Sequence, residues 1–142
     1  GLSDEEIEHG MTKDGGLKGI SGVSGDLRYV LEAAEAGNER AKLAVDVYVT
    51  GIIRYIGAFA AELGGLDCLA FTGGIGENSA VIRKMVCERL EYMGVRLSAR
   101  RNTKEKGDRS ISKKHSKVRV YVIAANEELG VARKTYGCEK NA

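Results

Sequence analysis

The feature that most restricts what this chain can fold into is an abrupt change of character at residues 69–79. Leu69-Ala70-Phe71-Thr72 is a short apolar run, and Gly73-Gly74-Ile75-Gly76-Glu77-Asn78-Ser79 follows it without a spacer. Gly73, Gly74 and Gly76 lack a Cβ, which lets the main chain turn left-handed and lets a bulky ligand come close to its N–H groups. Asn78 and Ser79 are both helix-capping types, and Val81, Ile82, Met85, Val86, Leu90 and Met93 recur at helical spacing over 80–93. The expected order is strand, glycine turn, helix N-terminus. That order offers unpaired N–H groups and a partial positive charge to a phosphate or to the polar edge of a nucleotide.

The other elements can be placed around this corner. Ser3 and Glu6 form a capping-box pattern, so a short helix is expected to about His9, with Gly10 stopping it. Residues 12–25 are rich in glycine and serine without apolar periodicity, and read as a long loop. Ser24 or Asp26 can cap a helix with Leu27, Val30, Leu31 and Ala34 on one face, ended by Gly37. Asn38 then caps a long helix over 39–63, so apolar that it must be buried against a sheet or a partner. After Gly64-Gly65 come a strand over 68–72, the glycine turn and its helix. An edge strand at Val95-Arg96-Leu97, a charged surface excursion over 98–117 with a little strand near Ile111, and a strand over 118–123 complete the pattern. Asn126 caps a final helix whose first turn holds Glu127 and Glu128. Alternating strands and helices predict an α/β domain, with parallel strands and helices on the faces, occupying 1–142 as one unit.

Composition narrows the function. A net charge of +2 is too small to argue for nucleic acid, and the basic run Arg100, Arg101, Lys104 and Lys106 reads as a solvated loop. Cys68, Cys87 and Cys138 have no metal-type spacing and read as reduced thiols of a cytoplasmic protein, Cys68 in the core. No signal peptide and no uninterrupted apolar segment of spanning length is visible, so no membrane is expected. His9 and His115 lack acidic or cysteine partners at useful spacing and read as surface residues.

Four segments carry a resemblance. Gly16-Leu17-Lys18-Gly19-Ile20-Ser21-Gly22 with Ser24 and Asp26-Leu27-Arg28, the helix with Arg54-Tyr55-Ile56-Gly57, Phe71-Thr72-Gly73-Gly74-Ile75-Gly76-Glu77-Asn78, and Asn126-Glu127-Glu128-Leu129 stand in order over nearly the whole chain. In these the chain resembles the C-terminal part of the acetate and propionate kinase family. The resemblance implies a partial ribonuclease H-like domain of the actin, hexokinase and heat-shock chaperone superfamily, with a mixed sheet and flanking helices. It implies that Asp26, Leu27 and Arg28 line the adenosine side, that Gly74, Ile75, Gly76, Glu77 and Asn78 hold the nucleotide, and that Glu127 helps to position Mg²⁺. ATP and ADP would be the nucleotides and acetate the acceptor, in reversible phosphoryl transfer giving acetyl phosphate. The substrate-side catalytic groups would lie upstream of residue 1, leaving none in this chain and the chain alone inactive. A homodimer is implied as well.

Two other readings come from the residues. Gly74-Ile75-Gly76 begins a dinucleotide-binding fingerprint, but Ser79 stands where the third glycine belongs and no acidic residue follows the next strand; Arg96 or Arg100 would then have to receive a 2′-phosphate. Alternatively, the long apolar helix is the contact face of a non-catalytic dimerisation or interaction module.

Overall fold

Short polar side chains start three of the helices in the first part of the chain. The Ser3 N–H donates to Glu6 Oε2 at 2.7 Å and the Glu6 N–H donates to Ser3 Oγ at 3.3 Å, opening α1 (Asp4–Thr12). The computed structural model describes residues 1–104 and 107–139, with side chains through Tyr136. It separates into two compact units, Gly1–Phe59 and Ala60–Ala142.

In the first unit, α1 continues through Gly10 to Thr12, past the expected stop. An interior glycine costs only about 1 kcal/mol relative to alanine, and the Lys13 N–H still reaches His9 O at 2.8 Å. His9 is exposed, as expected, but it does have an acidic partner: Nδ1 lies 3.1 Å from Asp14 Oδ2. The expected loop over 12–25 contains a second helix, α2 (Gly16–Ser21), closed by Gly22 at φ +69°. Six residues are too few to display a period. What holds them is Arg40, whose Nε and Nη2 donate to Ile20 O and Gly19 O at 2.9 Å each, occupying carbonyls that the helix end leaves over.

Asp26 caps α3 (Leu27–Glu35), and Asn38 Oδ1 accepts from the Ala41 N–H at 3.0 Å to start α4 (Glu39–Glu62). Burial of α4 is one-sided. Ala41, Ala44, Val45 and Val49 are buried, whereas Leu43, Val47, Tyr55 and Phe59 are exposed. By length and composition α4 could also span a bilayer, although, as expected, its apolar run is not uninterrupted, being broken by Asp46 and Arg54.

The second unit carries a three-stranded mixed sheet of order β1-β3-β2, from β1 (Cys68–Phe71), β2 (Arg109–Ser110) and β3 (Arg119–Val122). β1 runs parallel to β3, with Leu69 opposite Val120 and Phe71 opposite Val122, and β2 runs antiparallel to β3. Single bridges at Val95 and Leu97 stand where the edge strand was expected. One sheet face supplies buried Phe71, Val120 and Val122; the alternate residues Cys68, Ala70, Arg119 and Tyr121 are exposed. Cys68 is therefore not a core residue, because alternation on an edge strand turns it outward. Cys87 on α6 (Ala80–Arg89) is buried, and burial pushes its thiol up to about 12. Both are free thiols; the side chain of Cys138 lies outside the described residues.

After α6, a single 3₁₀ turn (Glu91–Met93) ends at Gly94, φ +95°, whose carbonyl accepts from the N–H groups of Lys117 and Val118. A Cβ there would sit 2.8 Å from the Lys117 Cβ. Gly94→Ala is expected to destabilise the fold by about 2 kcal/mol, adding the left-handed penalty to the clash. Urea denaturation of the two proteins measures it, and an unchanged midpoint would contradict the geometry.

Candidate functional site

The glycine corner is more structured than a turn. Thr72 leads into a six-residue helix, α5 (Gly73–Asn78), with Gly73 at φ +70° and no side-chain cap. Its leading N–H groups are thus left to an outside acceptor. The helix expected from Ala80 begins there as α6, with Ser79 Oγ accepting from the Ile82 N–H at 3.3 Å. Gly76 is needed for packing, since a Cβ would lie 3.2 Å from the Phe71 carbonyl carbon. Asn78 Nδ2 donates to Gly74 O at 2.8 Å, closing α5 on itself.

Arg83, which no motif in the sequence singles out, holds this corner in place. Only 2% of it is exposed. Its Nη1 donates to Gly76 O and Glu77 O at 2.8 Å each, its Nε to Asn102 Oδ1 and its Nη2 to Asn102 O at 2.7 Å each. Asn102, on α7 (Ala99–Thr103), returns Nδ2 to Ala80 O at 2.8 Å. Burial first, and then the Arg109 guanidinium, lower the pKa of Arg83. Its position at the carbonyl end of α5 suits a cation.

Glu77 ties the corner to the end of the chain: its Oε1 accepts from the Ala125 N–H at 2.8 Å. As a result Gly73, Gly74 and Glu77 share a cleft of about 470 Å³ with Ala125, Asn126, Glu127 and Glu128 at the start of α8 (Glu127–Glu139). Among the described residues no three His, Cys, Asp or Glu side chains converge to hold a metal. Glu127 and Glu128 nonetheless suit Mg²⁺, which takes one or two carboxylates and fills its other positions with water and substrate phosphate. Glu128 stands beside Glu127 in the same short motif, and that adjacency was its signal.

Of the residues expected at the nucleotide, Gly74, Glu77 and Glu127 line this cleft. Ile75, Gly76 and Asn78 build the short helix behind it. Asp26, Leu27 and Arg28 belong to the first unit. There the Arg28 N–H donates to Asp26 Oδ1 at 2.9 Å and the Arg28 guanidinium pairs with the same carboxylate. Leu27 is 5% exposed. The Arg28 guanidinium, then its backbone N–H, hold the Asp26 carboxyl at about 2.

Comparison with known proteins finds relatives over most of the chain. The model of the Acetokinase family matches residues 1–133. The chain is 44% identical over 140 residues to an acetate kinase of Syntrophomonas wolfei, covering 99% of this chain and 35% of that protein. It is 47% identical over 134 residues to an acetate kinase of Dictyoglomus thermophilum, covering 94% and 34%. Among solved structures, Porphyromonas gingivalis acetate kinase superimposes with a TM-score of 0.85 at 42% identity, over 96% of this chain and 34% of that one. Entamoeba histolytica acetate kinase gives 0.86 at 32% identity, over 94% and 36%. The chain spans about a third of the length of the relatives it matches.

Two outcomes are expected. Arg83→Leu should destabilise the protein by about 3 kcal/mol, because the carbonyls of Gly76, Glu77 and Asn102 lose their donor while buried; thermal unfolding measures it. Asp26 has a folded pKa near 2, below its ordinary 3.8. Its contribution to stability is complete above the ordinary value and is lost as pH falls through the folded one. Acid unfolding followed from pH 5 to 2 should therefore be shallower in Asp26→Asn than in the unaltered protein.

Proposed function

The chain belongs to the acetokinase family, and from that premise we propose that it is most of the C-terminal, nucleotide-binding domain of an acetate kinase. The reaction is reversible phosphoryl transfer from ATP to acetate, giving acetyl phosphate and ADP. The observation that carries the reading is the cleft in which the uncapped start of α5 and Glu127 face a common space.

In this reading the α5 end of the cleft receives the nucleotide through main-chain N–H groups, and Gly73 and Gly74 let it approach without side chains in the way. One oxygen of the Glu77 carboxylate accepts from the Ala125 N–H, which fixes that side chain in the cleft wall. Glu127 holds Mg²⁺, with Glu128 at its side. When bound, that ion neutralises phosphate charge as it builds during transfer. Asp26, Leu27 and Arg28 line the adenosine side. The actin, hexokinase and heat-shock chaperone fold belongs to the same reading, with residues 1–142 as part of one domain, and so do Mg²⁺ and a cytoplasmic location. Groups that hold acetate lie outside residues 1–142, so this chain alone does not turn over. The exposed apolar side chains Leu43, Val47, Tyr55 and Phe59 on α4 support a homodimer. Nucleic acid and membrane are not partners. A dinucleotide-binding role has no support beyond the incomplete glycine fingerprint.

Fluorescent ATP and NADPH analogues titrated with and without Mg²⁺ test this. The ATP analogue should bind, and Glu127→Gln should weaken it about tenfold in Mg²⁺ without weakening metal-free binding, where a repelling charge has been removed. Binding of the NADPH analogue in preference to ATP would overturn the reading. Joined to the remaining two thirds of a relative, the chain should release ADP only when acetate is supplied with ATP.

A further inference from the structure

A second cavity in the Ala60–Ala142 unit, of about 630 Å³, shares no lining residue with the glycine cleft. Its walls come from two segments that the sequence keeps apart. Arg100, Arg101 and Lys104 belong to α7 and the residue after it, whereas Arg109, Lys113 and Lys114 come from β2 and the turn that follows. Backbone bonds sew the segments together. The Ser98 N–H donates to Ile111 O at 2.8 Å, the Lys113 N–H donates to Arg96 O at 2.7 Å, and Leu97 bridges Ser112. The basic run that looks like a solvated loop in the sequence is therefore one wall of a hollow, and a second basic run is the other. Lys106 lies outside the described residues.

Three properties distinguish this hollow from scattered surface lysines. Among the described residues no carboxylate lines it. Arg100, Lys104, Lys113 and Lys114 appear in none of the ion pairs formed by the described residues. Arg109 also has a buried Nε with no acceptor, although its Nη1 donates to Gly107 O at 2.8 Å. Like charges gathered in one concavity repel one another, and a buried N–H without an acceptor is destabilising. An anion from outside relieves the repulsion.

The chemistry of that anion follows from the walls. Guanidinium forks and ammonium groups together match phosphate oxygens. The volume exceeds what one phosphate fills, and six cations exceed the charge it carries. Among the described residues the imidazole of His115 is the one aromatic ring in the lining, with no Phe, Tyr or Trp to form a base-stacking platform and no large apolar side chain for insertion into lipid. Cations converging on a concavity also differ from the extended stripe that tracks a nucleic-acid backbone. We propose that this hollow binds a small anion bearing linked phosphates, free oligophosphate or the phosphate chain of a phosphorylated metabolite, at a site separate from the glycine cleft. The proposal does not depend on the kinase reading.

The test is an NMR and calorimetric titration of the protein with inorganic tripolyphosphate, in parallel with a nucleoside triphosphate and a short DNA duplex. Tripolyphosphate should bind one to one, weaken as salt is raised, and shift the amides of Ser98, Ser110 and Lys113. The exposed double variant Arg100→Gln/Lys114→Gln should lose about tenfold or more in affinity. Mg²⁺-dependent ATP-analogue binding should be unchanged in that variant. Lys104→Gln alone should act in the same direction with a smaller loss. A nucleoside triphosphate that shifts the same amides identifies the metabolite source, and tripolyphosphate alone doing so identifies free oligophosphate. Shifts confined to residues 73–78 and 127, affinity unchanged in both variants, or tighter binding of the duplex than of tripolyphosphate would each overturn the proposal.

Discussion

Among the described residues no carboxylate pairs with the buried cation Arg83, and the glycine-corner end of the second unit is arranged around it. Desolvating a guanidinium is strongly unfavourable unless its donors are all engaged. Here two donate to the last carbonyls of α5, two to Asn102, and Asn102 returns a bond to the first residue of α6. A carboxylate partner would have fixed one point. Carbonyls fix the backbone itself, so the ends of α5, α6 and α7 are set relative to one another by one side chain. The negative end of α5 contributes to the stability of the cation, and the cation in turn helps to stabilise a six-residue helix that would not persist in isolation.

That arrangement passes to the cleft through Glu77. Its main-chain carbonyl is held by Arg83 while its carboxylate receives the Ala125 N–H, so one residue connects the buried cation to the segment entering α8. Asp108 Oδ1 does the same at the neighbouring residue, accepting from the Ala124 N–H at 2.8 Å. Two successive N–H groups beyond the end of β3 are thereby satisfied by side chains rather than by a strand. The chain can leave the sheet at that point and start α8 beside the glycine corner.

Much of this was legible in the sequence because it is local. The strand into Gly73, the Ser79 cap, the Asn38 cap and the long α4 each announce themselves within a few residues. What was not legible depends on partners far along the chain. α2 is held by Arg40, nineteen residues after its last member, and leaves no periodic trace. Residues 73–78 read as a turn because glycine has the poorest helix propensity of any residue but proline; Arg83 overrides that preference. Cys68 looked buried because an apolar run on an edge strand does not declare which of its alternate residues face outward. The basic hollow required the pairing of two segments before its charges could be seen as one group, and Lys113 and Lys114 gave no hint of belonging with Arg100.

The glycine cleft and the basic hollow are opposite in charge, and that difference constrains how each can receive phosphate. Around the glycine cleft stand Glu77, Glu127 and Glu128, with only main-chain N–H groups to offset them. A triphosphate entering there meets carboxylates at close range, where repulsion is weakly screened. The kinase reading therefore requires a divalent cation between Glu127 and the phosphates, because main-chain dipoles worth about half a charge cannot balance three carboxylates. The basic hollow has the reverse arrangement and needs no such intermediary. A metal-bound nucleotide has part of its phosphate charge neutralised and gains less from bare cations, whereas a metal-free oligophosphate gains most. In the two proposals taken together, charge sorts the two kinds of ligand between the glycine cleft and the basic hollow.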